Sequence, residues 1–321
     1  MHDAGCRVAV GWALALLAAC TPDAPIPASR SAASTPAAAK VAVTANVFPA
    51  PKRLVAIGDV HGDMNATKRA LKLGGAIDDA GEWVGGDLFV VQVGDQLDRG
   101  DDDRAILDYF EELTAKAKAK GGTFLPLNGN HELMNVVLDF RYVTEGAYAP
   151  FADIPVPDRP ELAKLPESQR PRGAAFLPAG PYAKKLAARP IYAIVGDSVF
   201  VHGGILEKHI TYGLEKMDTE VRDWLLGKRK SAPEIVVAED GPVWLRHYSQ
   251  APGPAECKQL TKALDALGAK RMVMGHTPQK PDISFACDQR AVRIDVGMAH
   301  AYGGRVEVLE IAGDTVNVLK E

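Results

Sequence analysis

The sequence predicts an α/β protein in which two central mixed sheets lie between outer helices, as a four-layer α/β/β/α sandwich. Short apolar segments rich in β-branched residues end in polar, glycine-containing loops, and segments with helical periodicity follow them. Three such strand, loop and helix units come in series, which implies right-handed crossovers and a parallel sheet. With 47% hydrophobic residues in 321, the chain has enough apolar material for a large core.

Residues 1–20 are typical of an export signal. The apolar stretch from Val8 to Ala19 is shorter than the roughly 20 residues that a membrane-spanning helix needs, but it fits a signal sequence. The segment Leu17-Ala-Ala-Cys20 resembles the lipobox of bacterial lipoproteins, whose cysteine is lipidated. We therefore expect export to the bacterial cell envelope (periplasm) and a lipid anchor on Cys20. The alternative is an ordinary signal that is cleaved after a small residue.

Residues 21–51 are rich in alanine, proline, serine and threonine. Such a segment cannot bury enough apolar surface to offset its ordering entropy, so it is predicted to be a tether before a folded domain at 52–321. The net charge of −4 gives no support for a nucleic-acid partner or an anionic membrane surface. The lipid anchor is therefore the one predicted contact with a membrane.

Two cysteines lie outside the signal and its lipidation site. In an exported protein, this even remainder, Cys257 and Cys287, suggests a disulfide. Two independent buried thiols are the alternative.

The first unit has a strand at 53–57, the loop Gly58-Asp-Val-His-Gly-Asp63 and a helix at 64–73. Asp59 and His61 are two residues apart, so in an extended segment both side chains point to one side, as two ligands of one metal ion require.

The second unit has a strand at 88–93, the loop Gly94-Asp-Gln-Leu-Asp-Arg-Gly100 and a helix at 101–119. The acidic residues Asp101–Asp103 are interpreted as helix caps, whose charges also favour the positive N-terminus of the helix. Helix capping does not explain Asp95, Asp98 and Arg99, which lie in the loop before the helix.

The third unit is the stretch Phe124-Leu-Pro-Leu-Asn-Gly-Asn-His-Glu132, in which a buried strand ends in a tight turn. Ligand sites of open α/β sheets lie at the C-terminal edge of the strands, so the three loops are expected to line one site. Residues 133–190 are rich in proline and are predicted to be an insertion, with helical pieces near 133–140 and 180–188. The insertion is either a lid or substrate-selecting wall beside the site, or a surface loop without a role.

The C-terminal half supplies two more histidines at strand ends. A hairpin of residues 191–195 and 198–202 ends in His202, and a strand at 271–274 leads to His276. Helices are expected at 214–227 and 255–267. Four further strands, at 283–287, 291–295, 305–311 and 315–319, are predicted to pair antiparallel in a second sheet.

The polar residues at the strand ends form one candidate set of metal ligands: Asp59, His61, Asp95, Asn130, His202 and His276. Mixed oxygen and nitrogen ligation without thiolates suits Mn, with Fe or Zn as alternatives. The set is large enough for two divalent ions, which need a shared ligand, and the Asp95 carboxylate is the central candidate.

The motifs Gly58-Asp-Val-His-Gly, Gly94-Asp-Gln-Leu-Asp-Arg-Gly, Gly129-Asn-His-Glu, His202-Gly-Gly and Gly275-His-Thr, in this order, resemble those of the calcineurin-like metallophosphoesterases. More narrowly they resemble the PPP phosphoprotein phosphatases, and Leu97 and Asn135 resemble the Shewanella-like branch. The resemblance implies that Asp59, His61 and Asp95 hold one metal ion, and that Asp95, Asn130, His202 and His276 hold the other.

The resemblance also implies in-line attack by a metal-bridging hydroxide on a phosphomonoester. His131 would then be the general acid, Asp98 would orient it, and Arg99 would bind phosphate oxygens. A second phosphate-binding arginine is expected, with Arg246 as the first candidate and Arg172 as a weaker one. Arg246 could instead be stacked structurally against Trp244.

A phosphoprotein phosphatase for Ser/Thr or Tyr residues is the leading functional hypothesis. Its rival is a hydrolase of small phosphorylated metabolites or nucleotides, such as diadenosine polyphosphates. An inactive envelope lipoprotein that serves as a binding module is the third reading, which the intact ligand set disfavours.

Overall fold

The computed structural model describes residues 46–321, and the predicted signal, the lipidation site at Cys20 and most of the tether lie outside them. The strands are β1 (Val47–Phe48), β2 (Leu54–Ile57), β3 (Phe89–Gln92), β4 (Thr123–Pro126), β5 (Tyr192–Val195), β6 (Ser198–Val201), β7 (Arg271–Met274), β8 (Ser284–Ala286), β9 (Ala291–Arg293), β10 (Glu307–Ala312) and β11 (Thr315–Lys320).

The helices are α1 (Met64–Leu73), α2 (Asp103–Ala119), α3 (Asn130–Val136), α4 (Pro160–Ala163), α5 (Arg170–Phe176), α6 (Pro181–Leu186), α7 (Glu207–Tyr212), α8 (Leu214–Leu225), α9 (Glu234–Val237) and α10 (Pro254–Leu267). Short 3-10 turns lie at Glu145–Ala147, Ala149–Phe151, Glu167–Gln169 and His300–Tyr302. Among residues 46–321, no helix is both long and apolar enough to cross a membrane.

Two mixed sheets form the centre of the molecule, which confirms the predicted fold class. One sheet has the order β11-β10-β2-β3-β4, with β2, β3 and β4 parallel. The other has the order β1-β5-β6-β7-β9-β8, in which the β5–β6 hairpin continues into the parallel strands β7 and β9. The parallel order of β2, β3 and β4 brings their C-terminal loops to the same edge.

Side chains that alternate between the two faces of the second sheet join the layers on either side of it. In β6, Phe200 packs in the apolar cluster shared with the first sheet and with α1 and α2. Its neighbours Val199 and Val201 pack instead in the cluster formed with α3, α5, α6, α8 and α10. Because successive side chains of a strand point to opposite faces, one apolar strand fills both cores.

Two sequence predictions are wrong in the structure. The four C-terminal strands do not make a sheet of their own: β8 and β9 extend the second sheet, whereas β10 pairs antiparallel with β2 in the first. The predicted tether also ends too late, since Val47 and Phe48 pair with Ile194 and Val195 of β5. In both cases the strand pairs with a segment that is distant in sequence. The periodicity of a single segment carries no information about such a partner.

The structure contains a disulfide between Cys257 in α10 and Cys287 in the turn between β8 and β9, with the Cα atoms 5.1 Å apart. It ties the outer helix layer to the edge of the second sheet. The two cysteines are 30 residues apart in sequence.

We predict that replacing both Cys257 and Cys287 by serine lowers the free energy of unfolding by about 3 kcal/mol, because the unfolded chain loses a loop constraint. Urea unfolding of the oxidised protein and of the double variant measures the difference. Reduced wild type should match the variant, and equal midpoints for oxidised and reduced wild type would contradict the prediction.

Candidate active site

The predicted site residues follow the C-terminal ends of strands from both sheets. Asp59 and His61 follow β2, while Asp95, Asp98 and Arg99 follow β3. Asn130 and His131 open α3 after β4, and His202 and His276 follow β6 and β7 directly or after one glycine. The six predicted ligands therefore come together from five loops.

The backbone around the site is strained at several non-glycine residues. Left-handed φ angles occur at His61 (42°), Asp95 (55°), Asp98 (70°), Arg99 (71°) and His276 (67°). Such conformations cost roughly 1–3 kcal/mol each outside glycine and cluster at functional sites. Glycine allows the close approach of the loops, since a Cβ at Gly275 would lie 2.2 Å from Oδ1 of Asp59.

Asp95 lies at the centre of the site. Its carboxylate belongs to two groups of potential ligand atoms that lie within 4.8 Å of one another, one with His61 and His131 and one with His202 and His276. All members of both groups are buried. This position between two groups is the one expected for a ligand that two cations share.

Asp59 and Asn130 complete the two groups. The Asp59 carboxylate lies 4.0 Å from Nε2 of His61 and 4.0 Å from Nδ1 of His202, and it accepts the backbone N–H of His276 at 3.0 Å. The Asn130 Oδ1 atom lies 2.9 Å from Nε2 of His202.

Backbone carbonyls fix the tautomers of the three ligand histidines. Nδ1 of His61 donates to Leu97 O at 3.0 Å, and Nδ1 of His202 donates to Val93 O at 3.0 Å. Nε2 of His276 donates to Trp244 O at 3.0 Å. Because a carbonyl oxygen can only accept, the neutral form of each ring has its lone pair on the other nitrogen, as metal ligation requires.

When the His202 ring is neutral, this arrangement brings acceptors together with no donor between them. The lone pair of His202 Nε2 meets the Asn130 oxygen at 2.9 Å and the Asp95 carboxylate at 3.1 Å. Burial and the nearby Asp295 and Asp95 carboxylates raise the pKa of Asp59 well above its usual value. Bound cations would satisfy these acceptors, so the donor set fits two divalent metal ions.

His131 differs from the ligand histidines. Its Nδ1 bonds to the Asp98 carboxylate at 2.6 Å, and its Nε2 lies 3.8 Å from the Asp95 carboxylate. Burial alone would lower the pKa of His131, but the Asp95 and Asp98 carboxylates raise it to about 9. By contrast, burial lowers the pKa of His61 to about 4. His131 is thus protonated at neutral pH, whereas His61 is neutral.

A small cavity of about 140 Å³ opens over this centre. Both Arg99 and Arg246 line it, together with the aromatic residues Tyr142, Trp244 and Tyr302. The Arg99 guanidinium lies 4.0 Å from the ring centre of Tyr142, and its buried Nε has no hydrogen-bond acceptor within the described part of the chain. Arg246 donates to His276 O at 2.7 Å and to Thr277 Oγ1 at 2.9 Å.

The weaker candidate for phosphate binding, Arg172, does not line this cavity. Its side chain is fully buried, and its guanidinium donates to Asn135, Ala147, Asp98 and Asp103. The interpretation of the acidic triplet as helix caps is also corrected. The N-cap residue Asp102 makes no side-chain cap bond, and Asp103 pairs with Arg172.

Sequence reasoning missed several residues around the centre. Asp295 lines the cavity after β9, and burial together with the Asp95 carboxylate raises its pKa to about 6. It follows a strand end, so the rule that found Asp59 could have found it. Tyr142 lies in the insertion and Tyr302 in the C-terminal turn, and neither has a local sequence signal.

Glu132 joins the loops beneath the metal ligands. Its carboxylate accepts the backbone N–H groups of Asp95 at 2.9 Å, Gln96 at 2.8 Å and Gly129 at 2.6 Å. One fully buried side chain thus fixes the loop that bears Asp95 against the loop that bears Asn130.

The comparisons with known proteins agree with this geometry. Residues 52–280 match the family model described as calcineurin-like phosphoesterase. The chain is 42% identical over 301 residues to Shewanella-like protein phosphatase 2 of Arabidopsis thaliana, covering 84% of this chain and 77% of that protein. The chain therefore belongs to the calcineurin-like phosphoesterase family, whose members are hydrolases of phosphoester bonds. Within that family it belongs to the Shewanella-like protein phosphatase branch, which confirms the resemblance.

More distant relatives share the architecture. Shewanella-like protein phosphatase 1 of Plasmodium berghei is 27% identical over 257 residues, covering 77% of this chain and 67% of that protein. The cold-active protein-tyrosine phosphatase of a psychrophilic Shewanella species has the same fold, with a TM-score of 0.69 at 22% identity. That match covers 87% of this chain and 83% of the other.

We predict that Glu132→Gln destabilises the protein by about 2–3 kcal/mol and weakens metal binding by roughly 10–100-fold, because an amide NH₂ then faces backbone donors. Urea unfolding and metal titration measure the two effects. Glu112→Gln on the exposed face of α2 is the matched control, with an expected change below about 0.5 kcal/mol. Equal behaviour of the two variants would contradict the assigned role of Glu132.

Proposed function

We propose that this protein is a dinuclear metal-dependent phosphomonoesterase that dephosphorylates phosphoproteins. The proposal depends on one observation: two groups of buried ligand atoms share the Asp95 carboxylate. Beside them lies Arg99, whose Nε has no hydrogen-bond acceptor within the described residues. We assign the first metal ion to Asp59, His61 and Asp95, and the second to Asp95, Asn130, His202 and His276.

When bound, two divalent cations supply a water of lowered pKa as nucleophile and neutralise charge on the phosphoryl oxygens. Carboxylate, amide and imidazole donors suit Mn, which we propose as the native metal, with Fe or Zn as alternatives. The hydrogen bonds from His61, His202 and His276 to backbone carbonyls support ligation by these histidines, because they orient the other ring nitrogen of each toward the site.

The chain's own residues then perform two tasks. Arg99 and Arg246 bind the phosphoryl oxygens, and their N–H groups stabilise the negative charge that develops on these oxygens in the transition state. His131 donates the proton from Nε2 to the leaving oxygen, while Asp98 holds its Nδ1–H at 2.6 Å. The hydrogen bond between Nδ1 and the Asp98 carboxylate favours the protonated ring.

The size of the cavity favours phosphoproteins over small phosphorylated metabolites. A volume of about 140 Å³ is well below the roughly 300–1,000 Å³ of pockets that enclose drug-sized ligands. It suits a phosphate group whose carrier remains outside. The names of two relatives, both Shewanella-like protein phosphatases, point the same way.

We predict that Asp95→Asn lowers 4-nitrophenyl phosphate hydrolysis at least about 100-fold and lowers bound metal from two ions per chain, since the shared ligand loses charge. Steady-state kinetics and elemental analysis for Mn, Fe and Zn measure both effects. Wild type stripped by chelator should lose activity and regain it with Mn. Asp265→Asn, on exposed α10, is the control. An Asp95 variant with wild-type rate and metal content would reject this site.

A substrate panel then separates the candidate functions. Peptides carrying phosphotyrosine, phosphoserine or phosphothreonine are expected to have a higher kcat/KM than nucleotides and diadenosine polyphosphates. The reverse order would favour the metabolite hydrolase. A protein that holds no metal and hydrolyses none of these would be a binding module.

We also propose that the protein is exported to the cell envelope and anchored through lipidated Cys20, which supports action on exported or surface phosphoproteins. The apolar stretch before Leu17-Ala-Ala-Cys20 supports this proposal.

We predict that wild type fractionates with membranes, and that Cys20→Ala abolishes the lipid modification, because the cysteine thiol is its attachment atom. Mass spectrometry of the N-terminus and detergent partitioning measure this. Cys6→Ala, within the signal, is the control and should leave the modification intact. An unlipidated wild-type protein would mean an ordinary signal.

A further inference from the structure

We propose that Arg172, in the insertion, is a positioning residue for the proton donor His131 and acts through Asp98 and Asn135. The inference rests on the proposed function, because it assumes that His131 is the general acid. It assigns to the insertion a task in catalysis.

The contacts of Arg172 lead to His131 by two routes. Its Nη2 lies 3.4 Å from Oδ1 of Asp98, and the other oxygen of that carboxylate holds Nδ1 of His131 at 2.6 Å. Its Nε donates to Oδ1 of Asn135 at 2.9 Å. The Asn135 amide in turn donates to Asp98 Oδ1 at 2.9 Å and to the backbone oxygen of His131 at 3.0 Å.

Asp103 anchors the network from the other side. It accepts Nη2 of Arg172 at 2.6 Å through one oxygen, and the backbone N–H of Asp98 at 2.9 Å through the other. Both the main chain and the side chain of Asp98 are therefore fixed by groups that Arg172 orders. Since Asp98 has a left-handed φ of 70°, its position depends on such external contacts.

Burial makes Arg172 difficult to replace in this network. Its side chain and those of Asp98 and Asp103 are fully buried, so the guanidinium supplies the positive charge between two buried carboxylates. The rings of Phe151 and Phe176 lie 5.1 and 5.2 Å from the guanidinium carbon and restrict its plane. A rigid fork of this kind can hold several acceptors at fixed separations, whereas a single ammonium group cannot.

Dependence on the leaving group distinguishes positioning of an acid from general support of the fold. A weakly basic 4-nitrophenolate leaves with little help from an acid, whereas phenol, with a pKa near that of tyrosine at about 10, needs the proton. For Arg172→Met we expect kcat to fall about 100-fold on phenyl phosphate but no more than about tenfold on 4-nitrophenyl phosphate. KM should stay within about threefold, because the phosphate-binding groups are untouched.

Arg189→Met is the matched control. Arg189 is also buried and lies near an aromatic ring, but its guanidinium donates to Gln96 at 2.8 Å and to the Leu107 carbonyl at 3.1 Å. Loss of this arginine should change the two rates by the same factor. Arg172→Lys, which keeps the charge but loses the fork, should give an intermediate leaving-group effect. If Arg172→Met does not fold, the lysine variant decides the test.

A double-mutant comparison completes the experiment. His131→Asn should show the same leaving-group effect, and adding Arg172→Met to it should cost less than about threefold more, because both changes remove one function. The inference is overturned by an unchanged ratio of the two rates in the Arg172 variants, or by a full additional loss in the double variant. An unchanged ratio in His131→Asn itself would instead reject His131 as the general acid.

Discussion

The electrostatics of Asp95 constrain the whole active site. Its buried carboxylate lies 3.1 Å from a nitrogen of His202 and within reach of three more histidines. Three of these histidines, His61, His202 and His276, donate one ring N–H to a backbone carbonyl, so the other nitrogen of each neutral ring presents a lone pair. A buried concentration of acceptors is unfavourable without positive charge. The fold therefore holds together groups whose stable arrangement includes cations.

The loops that bring these groups together have a strained and closely packed backbone. Asp95 and His276 adopt left-handed conformations. A Cβ at Gly94 would collide with the backbone of Gly129, and a Cβ at Gly129 would collide with Asp95. Glu132 compensates by accepting amides from two loops at once. The strained residues and the Glu132 hydrogen bonds that stabilise them all lie within a few residues of the strand ends. This explains why the strands themselves can remain short, apolar and regular while the loops provide the site.

Local patterns could predict most of this architecture. The helix Met64–Leu73 and the strand Arg271–Met274 match their predicted bounds, because periodicity and flanking turns report them directly. The strand-end rule also brought Asp59 and His276 into one set, although they lie 217 residues apart. Pairing between distant segments is not encoded locally, so the sheet joined by Glu307–Ala312 was assigned wrongly. Arg172 was misjudged for the same reason, since its partners lie in three other segments.

Support for His131 thus comes from two independent parts of the fold. The sheet edge supplies the Asp95 carboxylate, which accepts the His131 backbone N–H at 3.0 Å, while the insertion supplies Arg172, which braces Asp98 and Asn135. By contrast, none of the residues to which Arg172 donates is one of the six proposed metal ligands. On the proposed role of His131, replacement of Arg172 is therefore expected to alter proton donation while the metal groups remain intact. Such a separation would allow reactivity toward different leaving groups to change without rebuilding the proposed metal site.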